Sequence, residues 1–313
     1  MSRHKSSPSY RARLPAELYR YVLQNVSNSS DLLSLCSTSR FIRDEAERIL
    51  YHDVDLHNCS NEQVQSWSTR VASCPRVAAF VRRLCLPATE GPGLTFDGVE
   101  HVLQSMLRAL QAVSNITELS IRPHSLSTGL IEHRYYSTEV IHQYSFQLRK
   151  FHVEGDFHLF GANPLPFLAS QPDIRDWKSG SLMDVVRNPP ANLLPHITIV
   201  QHTYHNYYSD HDMLRHITSR PNIERIRIDL GKAIGLDDVN RIVWTLQSCQ
   251  QTLTHFHLTS CGSDKAFVPW SPMDLIRFLA DHTRGLIFFR YSVTIDYNGH
   301  VRLQFTCLVR LLI

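Results

Sequence analysis

The 313-residue sequence predicts an α/β protein, with a small N-terminal helical bundle followed by a parallel sheet built from repeated strand and helix units. Three observations predict it. Apolar triplets spaced Φ-x-x-Φ-x-Φ recur with centres at 54, 84, 119, 151, 177, 197, 226, 256 and 289, on average about 29 residues apart. Apolar stripes at helical spacing precede several of these centres. Helix-stopping pairs, Pro172-Asp173 and Pro221-Asn222, both stand five residues before a centre. Parallel strands need a long crossover, usually a helix, so helix, stop and strand repeated at this period give a parallel sheet.

Residues 1–13 form a polar tail with Arg3, Lys5, Arg11 and Arg13 and no acid. From Leu14 the pattern becomes helical. Pro15 suits a first helical position and Glu17 complements the positive end of the dipole, which predicts a helix to about Asn25 with Leu18, Val22 and Leu23 towards one face. Ser30 can cap a second helix carrying Asp31-Leu32-Leu33-Ser34-Leu35. Ser39 can start a third containing Phe41, Ile42, Ala46, Ile49 and Leu50. A core of three short helices is marginal alone, so this bundle is expected to lean on another unit.

Residues 57–313 carry the repeat. Apolar residues are common enough for such triplets to arise by chance, so the argument rests on what precedes them. Val99, Val102, Leu103, Met106, Leu107 and Leu110 form one helical stripe. Leu236, Val239, Ile242, Val243 and Leu246 form another, and Leu275, Ile276 and Leu279 a third, opened by Ser271-Pro272-Met273-Asp274. Met106, Met213, Val243 and Ile276 all lie thirteen residues before their triplet centres. Stacked units bury what no single unit could. The triplets resemble the strand portion of a leucine-rich repeat, and the expected architecture is an irregular solenoid of such repeats; an unrepeated α/β domain is the alternative.

Charge and composition exclude other classes. Lys and Arg total 32 against 29 acids, but four of the basic residues lie in the tail, which leaves a nearly neutral body without the basic stripe of a nucleic-acid binder. No apolar signal stretch follows Met1, so a cytoplasmic or nuclear location is expected, and the sequons at Asn25, Asn28, Asn58 and Asn115 carry no weight. The apolar-rich end, 301–313, is interrupted by Arg302 and Arg310 and is too short to span a bilayer. Seven cysteines form no C-x-x-C pair, and reduced, mostly buried thiols are expected.

No G-x-S-x-G, phosphate loop or G-x-G-x-x-G is present; Gly231-Lys232 lacks the residues that would make it one. The segment His202 to Asp212 is rich in imidazole and carboxylate but also in Tyr, Asn and Ser, which suit a solvated loop better than a zinc site. Asp237-Asp238 complements the positive end of a helix rather than performing acid–base work. Neither a cofactor, a metal nor a catalytic group is expected.

The ordered series Leu14-Pro15-x-Glu17-Leu18, Asp31-Leu32-Leu33-Ser34-Leu35-Cys36, Thr38-Ser39-Arg40-Phe41 and Glu45 to Tyr51 with Val54 and Leu56 resembles an F-box of the fungal type over residues 14–56. Ser37 stands where that family usually has an apolar residue. The resemblance implies docking to a Skp-family adaptor, and through it to a cullin, with Leu14, Pro15, Leu18, Leu32, Leu33, Leu35 and Phe41 supplying core and docking contacts. F-box modules often precede leucine-rich arrays. The implied function is a non-catalytic substrate-recognition subunit of a cullin-based ubiquitin ligase, and the alternative is a repeat scaffold that binds a partner independently of ubiquitin. In such a solenoid the residues one before, one after and three after each centre line the concave face. That face, centred on Arg225, Arg227, His255 and His257 and joined by His152 and His196, is expected to recognise an acidic or phosphorylated segment of a target protein.

Overall fold

The computed structural model describes residues 15–87, 96–122, 144–153, 165–179, 190, 192–204, 222–230, 247, 249, 251–262, 286–295 and 301–307. Leu14, the predicted helices at 236–246 and 271–279, Asp237-Asp238 and the stretch 205–212 lie outside the described residues.

Three helices open the chain: α1 (Ala16–Gln24), α2 (Ser29–Leu35) and α3 (Arg40–Leu50). Pro15 is the residue before α1 rather than its first residue. Asn28, not Ser30, caps α2, because its side-chain oxygen already accepts from the Ser30 backbone N–H. Ser39 caps α3 as expected, accepting from Ile42 N–H at 3.2 Å. Leu23, Leu32 and Ala46 form a small separate core with Val26, Leu35, Ile42, Ile49 and Leu50 packed around it.

Among the described residues, the rest is a mixed α/β assembly around one sheet of ten strands in sequence order, nine of them parallel. They are β1 (Asp53–Asp55), β2 (Arg83–Pro87), β3 (Glu118–Arg122), β4 (Lys150–Val153), β5 (Asp176–Ser179), β6 (Ile199–Tyr204), β7 (Arg225–Leu230), β8 (His255–Gly262) and β9 (Phe288–Ile295); β10 (Val301–Cys307) closes the edge antiparallel to β9. Between the strands run α4 (Asn61–Ser73), α5 (Pro75–Ala78), α6 (Phe96–Ala112) and α7 (Leu165–Ala169). A capping box starts α4: Ser60 and Gln63 satisfy each other's backbone N–H groups. No helix among the described residues is long and apolar enough to cross a membrane.

Two rows of side chains make the core. The triplet centres Leu84, Leu119, Phe151, Trp177, Ile226, Phe256 and Phe289 stand opposite one another on successive strands and are buried. Three residues earlier, Val81, Ile116, Leu148, Ile174, Ile197, Ile223, Leu253 and Leu286 form a second buried row. One centre is misplaced by the sequence reading. Val200, not Ile197, pairs with Trp177 and Ile226, so the sixth unit reads Ile197, Val200, His202. His202 in the third position is buried in β6 and is therefore not part of a solvated loop.

The backbone repeats as regularly as the side chains. At the start of each strand from β2 to β9, two successive N–H groups donate to one carbonyl of the preceding unit. Arg82 and Arg83 donate to His52 O, Thr117 and Glu118 to Arg82 O, Arg149 and Lys150 to Thr117 O, and so on to Ile287 and Phe288 on Thr254 O. Thr117, Thr198 and Thr254 add a side-chain hydroxyl to the same ladder. Each unit thus satisfies the polar groups of its neighbour where the strands begin.

Candidate functional site

Two surfaces present side chains that the fold does not consume. The first belongs to the bundle. Leu18 is 48%, Tyr21 68%, Val22 58%, Leu33 62% and Phe41 42% exposed, whereas Leu32 is buried and Leu35 half-buried. Leu18, Tyr21 and Val22 share one face of α1, at the i, i+3 and i+4 positions. Phe41 meets Tyr19 edge-on with ring centroids 5.8 Å apart, which sets the start of α3 beside α1. The structure thereby divides the candidate residues: Leu32 and Leu35 build core, while Pro15, Leu18, Leu33 and Phe41 face outward. Leu18 and Val22, expected to share one face with Leu23, are exposed while Leu23 is buried. Tyr21 was not singled out from the sequence, and its i+3 relation to Leu18 is the signal that could have found it.

Polar pairs hold this bundle. The Arg20 guanidinium grips both carboxylate oxygens of Glu45 at 2.8 and 3.0 Å, and Arg48 adds a third contact at 3.0 Å. Hydrogen bonding from Arg20 holds the Glu45 carboxyl below the usual carboxylate range, although partial burial acts the other way. Arg76, in α5, is ion-paired to Asp44 and Glu47 of α3 and ties the bundle to the larger unit. An open cleft lined by Ser39, Arg40, Arg43, Asp44 and Arg76 lies here, but Arg76 is committed to its two acids and Arg43 to the Cys36 carbonyl at 2.8 Å. Ser37, exposed, donates to the Ser34 carbonyl.

The second surface is the sheet face opposite the buried rows. One residue before each centre, Asp53, Arg83, Glu118, Lys150 and Asp176 stand side by side on β1–β5 with alternating sign. Arg83 lies 3.2 Å from Asp53 and 3.3 Å from Glu118, and Asp176 takes Lys150 at 3.7 Å and His152 at 3.0 Å. This half of the face is internally neutralised. On β6–β9 the same row continues as Ile199, Arg225, His255 and Phe288. The row one residue after the centres reads Gln201, Arg227, His257 and Arg290, with no acid. Only Asp229 among the described face residues of β6–β9 is acidic, and it pairs with Arg227 at 3.1 Å.

Arg225 and Arg227 are exposed, and His255 and His257 are half-buried beside them, so the four residues expected to form one patch do adjoin. His255 packs against Phe288 at 5.6 Å. Burial, then the neighbouring Arg227 and Arg290, push the His257 imidazole below its ordinary pKa, against an opposing pull from Asp229. The Arg290 Nε is buried with no hydrogen-bond partner among the described residues. His196, expected on this face, is exposed outside the strands, because correcting the sixth centre puts Ile199 and Gln201 there instead. His152 is on the face but buried and committed to Asp176.

Among the described residues, no group of three or more His, Cys, Asp or Glu side chains could hold a metal ion. Cys36, Cys59, Cys74 and Cys85 are only half-buried; Cys249 is buried, which pushes its thiol up to about 12. No family model matches the chain, and no curated protein matches it.

Proposed function

We propose that the chain is a non-catalytic substrate-recognition subunit of a cullin-based ubiquitin ligase, whose N-terminal bundle is an F-box docking a Skp-family adaptor and whose irregular leucine-rich repeats present a target protein. The observation that carries the reading is the exposed apolar set on α1–α3. A three-helix bundle with a core of Leu23, Leu32 and Ala46 leaves five large apolar side chains in water, and such exposure marks a surface built for a protein partner. The eightfold repetition of the shared carbonyl, and the two buried rows at a common register, support reading the larger unit as stacked repeats rather than an unrepeated sheet.

The test is capture of a purified Skp-family adaptor. Leu18→Ala with Leu33→Ala and Phe41→Ala removes exposed anchors, so binding falls by at least about a hundredfold, as expected when several anchor side chains are truncated. Thermal stability changes little, since none of the three is buried. Undiminished capture by the folded triple variant overturns the docking assignment. Point variants are the sharper tool because deleting 14–56 would also remove β1, whose Val54 belongs to the sheet's core.

A further inference from the structure

We propose that the β6–β9 half of the bare sheet face binds an extended acidic segment of the target, lying across the strands with its carboxylates about three residues apart. This deepens the proposed function, and it rests on the reading of the sheet as the target-binding surface.

The contrast within one face is the first argument. On β1–β5 Arg83 and Lys150 are answered by acids on neighbouring strands, and the four described cations of that half, Arg83, Arg122, Lys150 and Lys178, are balanced by four acids, Asp53, Asp55, Glu118 and Asp176, so it offers no net charge to a partner. On β6–β9 the three guanidiniums of Arg225, Arg227 and Arg290 face one acid, Asp229, and Arg225 makes no ion pair among the described residues. A folded protein keeps like charges together at a cost, and an anionic partner relieves it.

The spacing defines the occupant. Neighbouring strands lie about 4.8 Å apart, so Arg227 on β7 and Arg290 on β9, in one row and separated by β8, stand roughly 9.6 Å apart. An extended chain advances about 3.3 Å per residue, so the same distance is three residues of a peptide. The cations are drawn out in a line rather than gathered at a point, which suits a series of carboxylates better than one phosphate. Arg225, two residues before Arg227, widens the β7 position to two planar donors, and Arg is the side chain whose fork matches a carboxylate. Ile199 and Phe288 in the neighbouring row lie three strands apart, roughly 14 Å. They give apolar contacts to two target side chains about four residues apart. Burial is the main cause of the depressed His257 imidazole, and Arg227 and Arg290 add to it, as this potential requires.

The experiment uses the full chain and a fluorescent peptide of about twelve residues with Glu at every third position and Leu flanking the acids. The comparison peptide has the same composition with its glutamates contiguous, and an oligothymidylate of similar charge serves as a second probe. The spaced peptide binds about tenfold or more tightly than either, and Arg225→Gln with Arg227→Gln removes that binding while Lys150→Gln, in the neutralised half, preserves it. Equal binding by the folded double variant overturns the inference, as does tighter binding of the contiguous peptide or the oligothymidylate. Adaptor capture is read in the same samples. Capture without spaced-peptide binding overturns this inference and leaves the proposed function standing, whereas peptide binding without capture supports the inference and removes the ligase reading.

Discussion

Ile226 and Arg225 are adjacent in sequence and opposite in consequence. Side chains alternate across a strand, and Ile226 is buried between Val200 and Phe256 while Arg225 points to water. Ile226→Asp therefore places an unpaired charge in the core and costs about 3 kcal/mol or more, whereas Arg225→Ala stays within about 0.5 kcal/mol. Denaturant titration of the two variants checks this, and equal midpoints would refute the register. His257 gives a pH dependence whose sign follows from its environment. Its folded-state pKa lies below the unfolded value, so as pH falls below about 6.5 the unfolded chain takes up the proton first and stability is lost until the folded pKa is reached. His257→Gln removes this contribution. Melting temperatures measured from pH 7.5 to 5 should fall less steeply for the variant than for the parent, and parallel curves would contradict the assignment.

Elements were legible where local chemistry and the repeat agreed. Ser39 before a charged amphipathic stretch located α3, and the stripe from Val99 to Leu110 lies within α6. The sixth strand shows how the pattern misleads. Leu194, Ile197 and Ile199 satisfy the triplet rule, and so do the positions of Ile197, Val200 and His202 except that the last is polar; the apolar reading wins on paper and is three residues early. The unit is also the shortest, with Val200 only 23 residues after Trp177, and Leu194 adopts a left-handed φ of 54° that lets the chain turn within that length. Burial separates the two registers. Val200→Asp should destabilise by about 3 kcal/mol because Val200 is buried between Trp177 and Ile226, and Ile199→Asp, on the half-exposed face, by less than about 1 kcal/mol. The reverse order in a thermal melt would restore the earlier register. The strand β10 is missed for a different reason: the sequence reading takes 301–313 only as a candidate membrane segment and rejects it, although Asn298-Gly299 just before it is a strong hairpin signal. The face residues Ile199, Gln201 and Phe288 depend on strand register and so could not be assembled from spacing alone.

At the scale of the whole molecule, two cores of unequal size share one chain. The small one is too poor in apolar burial to stand alone, and Arg76 reaching Asp44 and Glu47 fastens it to the larger unit. The boundary between them matters because β1 follows α3 almost at once: Val54 and Leu56 pack in the large core, and Leu56 N–H donates to the Cys85 carbonyl at 2.9 Å. A truncation beginning at Tyr51 removes the bundle and retains β1, so Leu84 and Leu86 keep their cover. One beginning at His57 strips the edge strand, leaves Leu84 and Leu86 partly in water and exposes the unpaired edge of β2. At about 25 cal/mol per Å² of apolar surface, loss of Val54, Leu56 and their contacts costs several kcal/mol. The truncation beginning at Tyr51 should melt cooperatively with adaptor capture abolished, and the one beginning at His57 should melt markedly lower or aggregate through its open edge. Equal melting temperatures would mean that β1 contributes nothing to the sheet, and retained adaptor capture by the Tyr51 truncation would move the proposed docking surface from the bundle to the larger unit.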